Sequence, residues 1–191
     1  LTDGGIAQYR RSSDDFAIPL DDRGHPILAY SACLTEQGVI FGGRNRIYRY
    51  DYDSRSIKLL LDFSSDPYFA ISAISRWDEE TLLCCSRWQG LRLINLRSGE
   101  RRLPPFDCGK EIMSMIIDSK NRIWIAPYNN GLYCFDRNGK QLASYTTRNS
   151  SLSNNVILSL AERENKLWIG TDGGGINILE PETGQLSLLE H

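Results

Sequence analysis

The chain has 191 residues, of which 41% are hydrophobic and 24% charged, with a formal net charge of −2. That is the make-up of an ordinary soluble globular chain, and its charge gives no reason to expect a nucleic-acid partner. No stretch approaches the roughly 18 consecutive apolar residues of a membrane span. The five cysteines, Cys33, Cys84, Cys85, Cys108 and Cys134, form no C-x-x-C pair, and His25 is the one histidine apart from the terminal His191. Metal-ligand spacing is therefore missing, and no cofactor motif occurs, so neither a metal nor a cofactor is expected. Cys84, Cys85 and Cys134 sit within apolar runs and read as small core residues. The start, Leu1-Thr2-Asp3-Gly4-Gly5, has no Met and no apolar signal core, and the end, Leu189-Glu190-His191, resembles the beginning of a polyhistidine tag. The expectation is a fragment of a longer protein, with 189–191 a tag remnant.

In chain order, short β-favouring runs alternate with turn residues throughout. Residues 1–22 read as a partial unit, with the turn Asp3-Gly4-Gly5, a strand around Ile6 to Tyr9 and another near Phe16 to Leu20. Residues 23–66 carry four strands: Ile27 to Leu34, Gly38 to Gly42, Arg46 to Tyr52 and Ser56 to Phe63. Residues 67–107 carry four more, centred on Ile71 to Arg76, Thr81 to Ser86, Leu91 to Leu96 and Glu100 to Leu103, after which Pro104-Pro105 blocks further pairing. Residues 108–150 repeat the pattern with turns at Ser119-Lys120-Asn121 and Arg137-Asn138-Gly139. Residues 151–188 do so again, with two apolar runs flanking Thr171-Asp172-Gly173-Gly174-Gly175. That glycine run lacks the Lys-Ser/Thr and following helix of a phosphate cradle.

The units are copies of one another. The apolar residue after each central turn, Ile6, Ile47, Leu91, Leu132 and Ile176, recurs every 41 to 44 residues. In the four complete units a second apolar column lies earlier (Val39, Leu83, Trp124, Trp168) and a third earlier still (Ile27, Ile71, Ile112, Val156). Four-stranded antiparallel units of about 40–45 residues are the blades of a β-propeller. The expected fold is all-β: an open arc of about four complete blades and one partial blade, whose outer faces lack a neighbour and favour association between copies.

The fourth unit, N-N-V-I-L-S-L-A-E-R-E-N-K-L-W-I-G-T-D-G-G-G-I-N-I-L-E-P-E-T-G-Q, resembles the two-component regulator propeller repeat. The third, R-I-W-I-A-P-Y-N-N-G-L-Y-C-F-D, is similar, whereas Val39 and Leu83 replace the tryptophan in the first two. This repeat builds the periplasmic sensor region of hybrid two-component systems in polysaccharide-degrading gut bacteria. The resemblance implies a periplasmic segment of a membrane-anchored histidine kinase, sensing an oligosaccharide and controlling polysaccharide-utilisation genes. The kinase, membrane and response-regulator parts are not in this sequence, so no enzymatic activity is assigned to it.

In such a fold the turns between second and third strands share one edge with the loops between blades. Three of the four such turns carry aromatic or polar groups where the last has plain glycines. The candidate ligand contacts are Arg44, Asn45, Arg87, Trp88, Gln89, Tyr128, Asn129 and Asn130: a ring to stack on a pyranose, with amides and guanidiniums for its hydroxyls. Asn is equally an ordinary residue for a turn at positive φ, and Trp88 also suits packing between blades. Trp124 and Trp168 read as packing between blades, and Asp118 and Glu162 as turn caps rather than an acid/base pair. Two other classes compete with the sensor: a propeller enzyme such as a lyase or glycoside hydrolase, and a protein-binding scaffold. His25, alone in a turn-like Asp-Arg-Gly-His-Pro, offers the enzyme reading little support.

Overall fold

The structure is a computed structural model that describes residues 6–21, 24–86 and 89–189. It contains strands and turns, with no helix among those residues. The chain forms two compact units, Leu1–Gln89 with Leu93–Arg101, and Gly90–Arg92 with Arg102–His191.

The first unit opens with a short hairpin, β1 (Gln8–Arg10) and β2 (Asp15–Ala17). Blade one follows as β3 (Ser31–Thr35), β4 (Gly38–Gly43), β5 (Arg46–Asp51) and β6 (Ile57–Asp62), and blade two as β7 (Ile71–Arg76), β8 (Thr81–Ser86), β9 (Gly90–Asn95) and β10 (Arg101–Arg102). Each is a four-stranded sheet whose strands pair in chain order. Alternation along β4 and β5 sends successive side chains to opposite faces. Ile40 and Ile47 join Phe69, Ile71, Ile74, Leu82, Cys84 and Ile94 in a core between the two blades. Phe41 and Tyr48, paired across the strands with rings stacked 5.7 Å apart, form a second cluster with Ile27 and Ala29 on the other face. Ile6 packs on that cluster, and its N–H reaches the Ile27 carbonyl at 3.1 Å. Gly43 is required where β4 meets the chain entering the blade, since a Cβ there would run into the Leu28 carbonyl oxygen.

The second unit holds blade three, β11 (Ile112–Ile117), β12 (Ile123–Pro127), β13 (Leu132–Phe135) and β14 (Gln141–Tyr145), and blade four, β15 (Ile157–Arg163), β16 (Lys166–Thr171), β17 (Gly175–Glu180) and β18 (Gln185–Leu188). One core joins them: Trp124, Ala126, Leu132 and Cys134 from blade three meet Leu152, Ile157, Leu167, Ile169 and Leu179. The four four-stranded sheets are the complete propeller blades read from the period, and the β1–β2 hairpin is the partial one.

Two details depart from the expected element bounds. Ile27 and Ala29 are buried but lie ahead of β3, which begins only at Ser31. The first strands of blades two, three and four each carry a register shift near their start, at Ile71/Ala73, Ile112/Ser114 and Ile157/Ser159. A bulge at one repeated position adds local twist to the first strand of these three blades.

Trp124 is 1% exposed, as expected of a residue packed between blades. Trp168, at the same repeat position, is only half-buried. It alternates with Leu167 and Ile169, which face blade three, so it lies on the other face of β16, where no blade of this unit stands. Its cross-strand partner is Ile178, and the neighbouring Ile176 is 40% exposed.

Candidate ligand-binding turns

The turns between second and third strands lie at one edge of each blade. In the first unit the β4–β5 turn places Arg44 at φ 49°, a left-handed position. Its carbonyl accepts the N–H of Ile71 at 2.5 Å, tying this turn to the first residue of β7, and the Asn45 carbonyl accepts the Phe63 N–H at 2.7 Å. The Arg44 side chain is left exposed and that of Asn45 half-buried. Gln89 has a structural partner: its Nε2 donates to both carboxylate oxygens of Asp66, at 3.3 and 3.2 Å. Arg101 Nη1 donates to the same carboxylate at 2.8 Å and lies over the Phe69 and Phe63 rings, 4.8 and 5.2 Å from their centroids. Arg101, then Gln89, hold the Asp66 carboxyl below the usual range. Arg87 and Trp88 lie outside the described residues.

In the second unit the β12–β13 turn presents Tyr128, Asn129 and Asn130 side by side, all exposed. Asn129 takes φ 50°, so it also serves the turn. The backbone is anchored by Tyr128 N–H to the Glu111 carbonyl at 2.7 Å and Gly131 N–H to the Asn155 carbonyl at 3.1 Å. Among the described residues the three side chains engage no hydrogen-bond partner, which leaves a ring face and two amides turned to solvent.

That second anchor brings in residues the sequence reading passed over. The loop between blades three and four, Ser153-Asn154-Asn155, joins the β12–β13 turn to the β16–β17 turn. Asn154 Nδ2 donates to the Asp172 carbonyl at 2.6 Å, and the Asp172 N–H donates to the Val156 carbonyl at 2.9 Å. Below them Asn177, fully buried, donates from Nδ2 to Ser153 Oγ at 2.6 Å and accepts from Ser153 N–H at 3.1 Å. Gly174 fits only because it has no Cβ, which would stand 2.6 Å from Ser153 Oγ and 2.7 Å from Thr171 Oγ1. The glycine run is thus architectural. The signal for this loop was available, since loops between blades share the edge with these turns, but Asn154 and Asn155 look like turn residues in isolation.

The opposite edge holds the acidic pair. Asp118 is buried and caps its own turn, accepting from Lys120 N–H at 3.0 Å and Arg122 N–H at 2.8 Å. It also accepts from Arg122 Nε at 2.6 Å and Trp124 Nε1 at 2.9 Å. Glu162 reaches the neighbouring blade instead, accepting from Ser119 N–H at 2.7 Å and Ser119 Oγ at 2.5 Å. No group of three or more metal-ligating side chains gathers among the described residues.

Residues 151–173 match the family model described as the two component regulator propeller. These residues, which enter the fourth blade and form β15 and β16, carry the likeness to that repeat. No curated protein sequence matches the chain. Among solved structures, the chain is similar to the extracellular domain of the protein termed hybrid two component system BT4673 of B. thetaiotaomicron, with TM-score 0.65 and 21% identity, over 85% of this chain and 22% of that one. It is similar also to the extracellular domain of the protein termed hybrid two component system BT3049 of the same organism, with TM-score 0.58 and 24% identity, again over 85% and 22%. A protein of unknown function from Bacteroides thetaiotaomicron aligns over 97% of this chain and 55% of its own, with TM-score 0.67 and 15% identity. At these identities the likeness is one of fold. The chain spans about a fifth of the length of the two extracellular domains.

Proposed function

We propose that this chain is part of the extracytoplasmic propeller sensor of a hybrid two-component system, in a membrane-anchored parent protein. The observation that carries this reading is the propeller repeat at 151–173, set in blades shared with extracellular domains of proteins termed hybrid two component systems. On this reading the propeller binds and relays but catalyses nothing, and the signal ends in transcription of polysaccharide-utilisation genes.

The ligand is an oligosaccharide, taken at the edge of the second-to-third strand turns. The exposed Tyr128 ring supplies a stacking face, and Asn129 and Asn130 supply donors and acceptors for hydroxyls. Arg44 and Asn45 offer a guanidinium and an amide at the equivalent turn of the first unit, and Arg87 and Trp88 belong to the same set. Gln89 acts by holding Asp66 rather than by contacting sugar.

Calorimetric titration of the chain against neutral and acidic oligosaccharides tests the proposal. Binding that is lost in Tyr128→Ala and weakened in Asn130→Ala supports it. Binding unaffected by Tyr128→Ala, or capture of a protein partner with no sugar bound, overturns it.

A further inference from the structure

A cavity of about 450 Å³ opens between blades one and two of the first unit. It lies at the far end of β4 from Arg44, beside the β3–β4 and β7–β8 turns, and so is separate from the turns discussed above. Its floor is apolar: Ile40 and Leu82 are buried, and Leu60 and Leu96 half-buried. Of the three guanidiniums lining it, Arg97 pairs with Glu80, which leaves Arg49 from β5 and Arg76 from the end of β7.

Both guanidiniums are poorly satisfied. Arg49 Nη1 reaches Gln37 Oε1 at the long distance of 3.3 Å, and Nη2 stands 3.8 Å from Asp51. Arg49 Nε is buried with no hydrogen-bond partner. Arg76 Nε has one long contact, 3.4 Å to the Asp78 carbonyl. Among the described residues the cavity's own acids form no ion pair with Arg49 or Arg76. The Asp78 carboxylate caps the Glu80 N–H at 2.9 Å, and Glu80 pairs with Arg97 at 2.5 Å. Glu36 and Glu79 stand exposed at the mouth.

We propose that this cavity binds a small organic carboxylate that also carries hydrogen-bond donors. The carboxylate meets the planar N–H forks of Arg49 and Arg76, a geometry that guanidinium matches in two parallel hydrogen bonds. The carbon frame lies on Ile40, Leu60, Leu82 and Leu96. Hydroxyl or ammonium groups meet Glu36 and Glu79, which at the same time disfavour a ligand that is anionic throughout. A sugar acid and an amino acid both have this chemistry.

The test is calorimetric titration of the chain with glucuronate, leucine and glucose. Binding of glucuronate identifies a sugar acid and binding of leucine an amino acid, and either supports the proposal when glucose is at least about tenfold weaker. Arg49→Gln and Arg76→Gln are each expected to weaken that binding by about tenfold or more. Their circular dichroism spectra and unfolding midpoints should match the parent. Arg49→Lys should recover part of the loss. Tyr128→Ala should leave carboxylate binding unchanged, which separates this site from the oligosaccharide site proposed above. Glucose binding as tightly as either carboxylate, no binding of either at millimolar concentration, or affinity unchanged in both arginine variants would overturn it.

Discussion

Asp118 shows how much one side chain can hold when its turn is folded around it. Its side chain is 2% exposed, and its oxygens accept from two backbone N–H groups, the Arg122 guanidinium and the Trp124 indole. Asp118→Ala strands the indole N–H and leaves the Arg122 guanidinium with Glu182 alone, 2.8 Å away, so a loss of about 3 kcal/mol is expected in urea unfolding. Asp118→Asn, which keeps acceptors but drops the charge, should cost less. Asp66 gives a pH signature. Arg101 and Gln89 depress its carboxyl in the folded state, so its contribution is present at neutral pH and lost as pH falls through the lowered value. Asp66→Asn should flatten the decline of the unfolding midpoint below about pH 4, relative to the parent. The thiols sort by burial: Cys84 and Cys85 are fully buried, Cys134 is 1% exposed, and burial pushes the thiols of Cys134 and Cys33 up to about 12 and about 11. At pH 8 a thiol reagent should modify the half-buried Cys108 first in the native chain, Cys33 more slowly, and the three buried thiols only on unfolding.

The strands follow from alternation and turn chemistry, and most of their limits were readable for that reason. β7 and β8 fall at Ile71–Arg76 and Thr81–Ser86 as their apolar patterns predict. The bulges near Ile71, Ile112 and Ile157 left no mark in the sequence, because a bulge depends on the register of the partner strand rather than on residue type. The two tryptophans make the same point at the level of packing. Trp124→Ala removes a ring enclosed by Leu167, Ile157 and their neighbours and should cost about 3–5 kcal/mol. Trp168→Ala, on a sheet face half open to solvent, should cost less than about 2 kcal/mol. Denaturant titrations of the two variants side by side check the difference.

Blade four carries exposed apolar surface, with Ile176 40% exposed and Trp168 half-buried. Trp168, Ile178 and Ile176 occupy on blade four the kind of face that blade three covers on its own side. A second copy supplies blades of the matching repeat, so concentration-dependent association is expected in sedimentation velocity, diminished by Trp168→Glu. A single monomeric species at all concentrations in the parent chain would rule this out. The proposed ligand edge is a reading of turns, because Tyr128-Asn129-Asn130 breaks the glycine pattern of Asp172-Gly173-Gly174. The engagement of Gln89 with Asp66 was not legible in the sequence, since it depends on contacts made across the folded unit.

From the sequence alone came the repeat period, the blade count, the antiparallel meander and the kinship of the fourth unit with a known repeat. All of these rest on local patterns: apolar alternation, glycine and asparagine at turns, and a column of anchors 41 to 44 residues apart. The tertiary structure alone decided which equivalent residues differ in role. Trp124 is enclosed and Trp168 is not, Asp118 caps its own turn while Glu162 braces its neighbour's, and Arg49 and Arg76 line one cavity between blades. The reason is physical: a repeat writes the same side chain into each blade, but burial, hydrogen bonding and cavity shape depend on what packs against that blade.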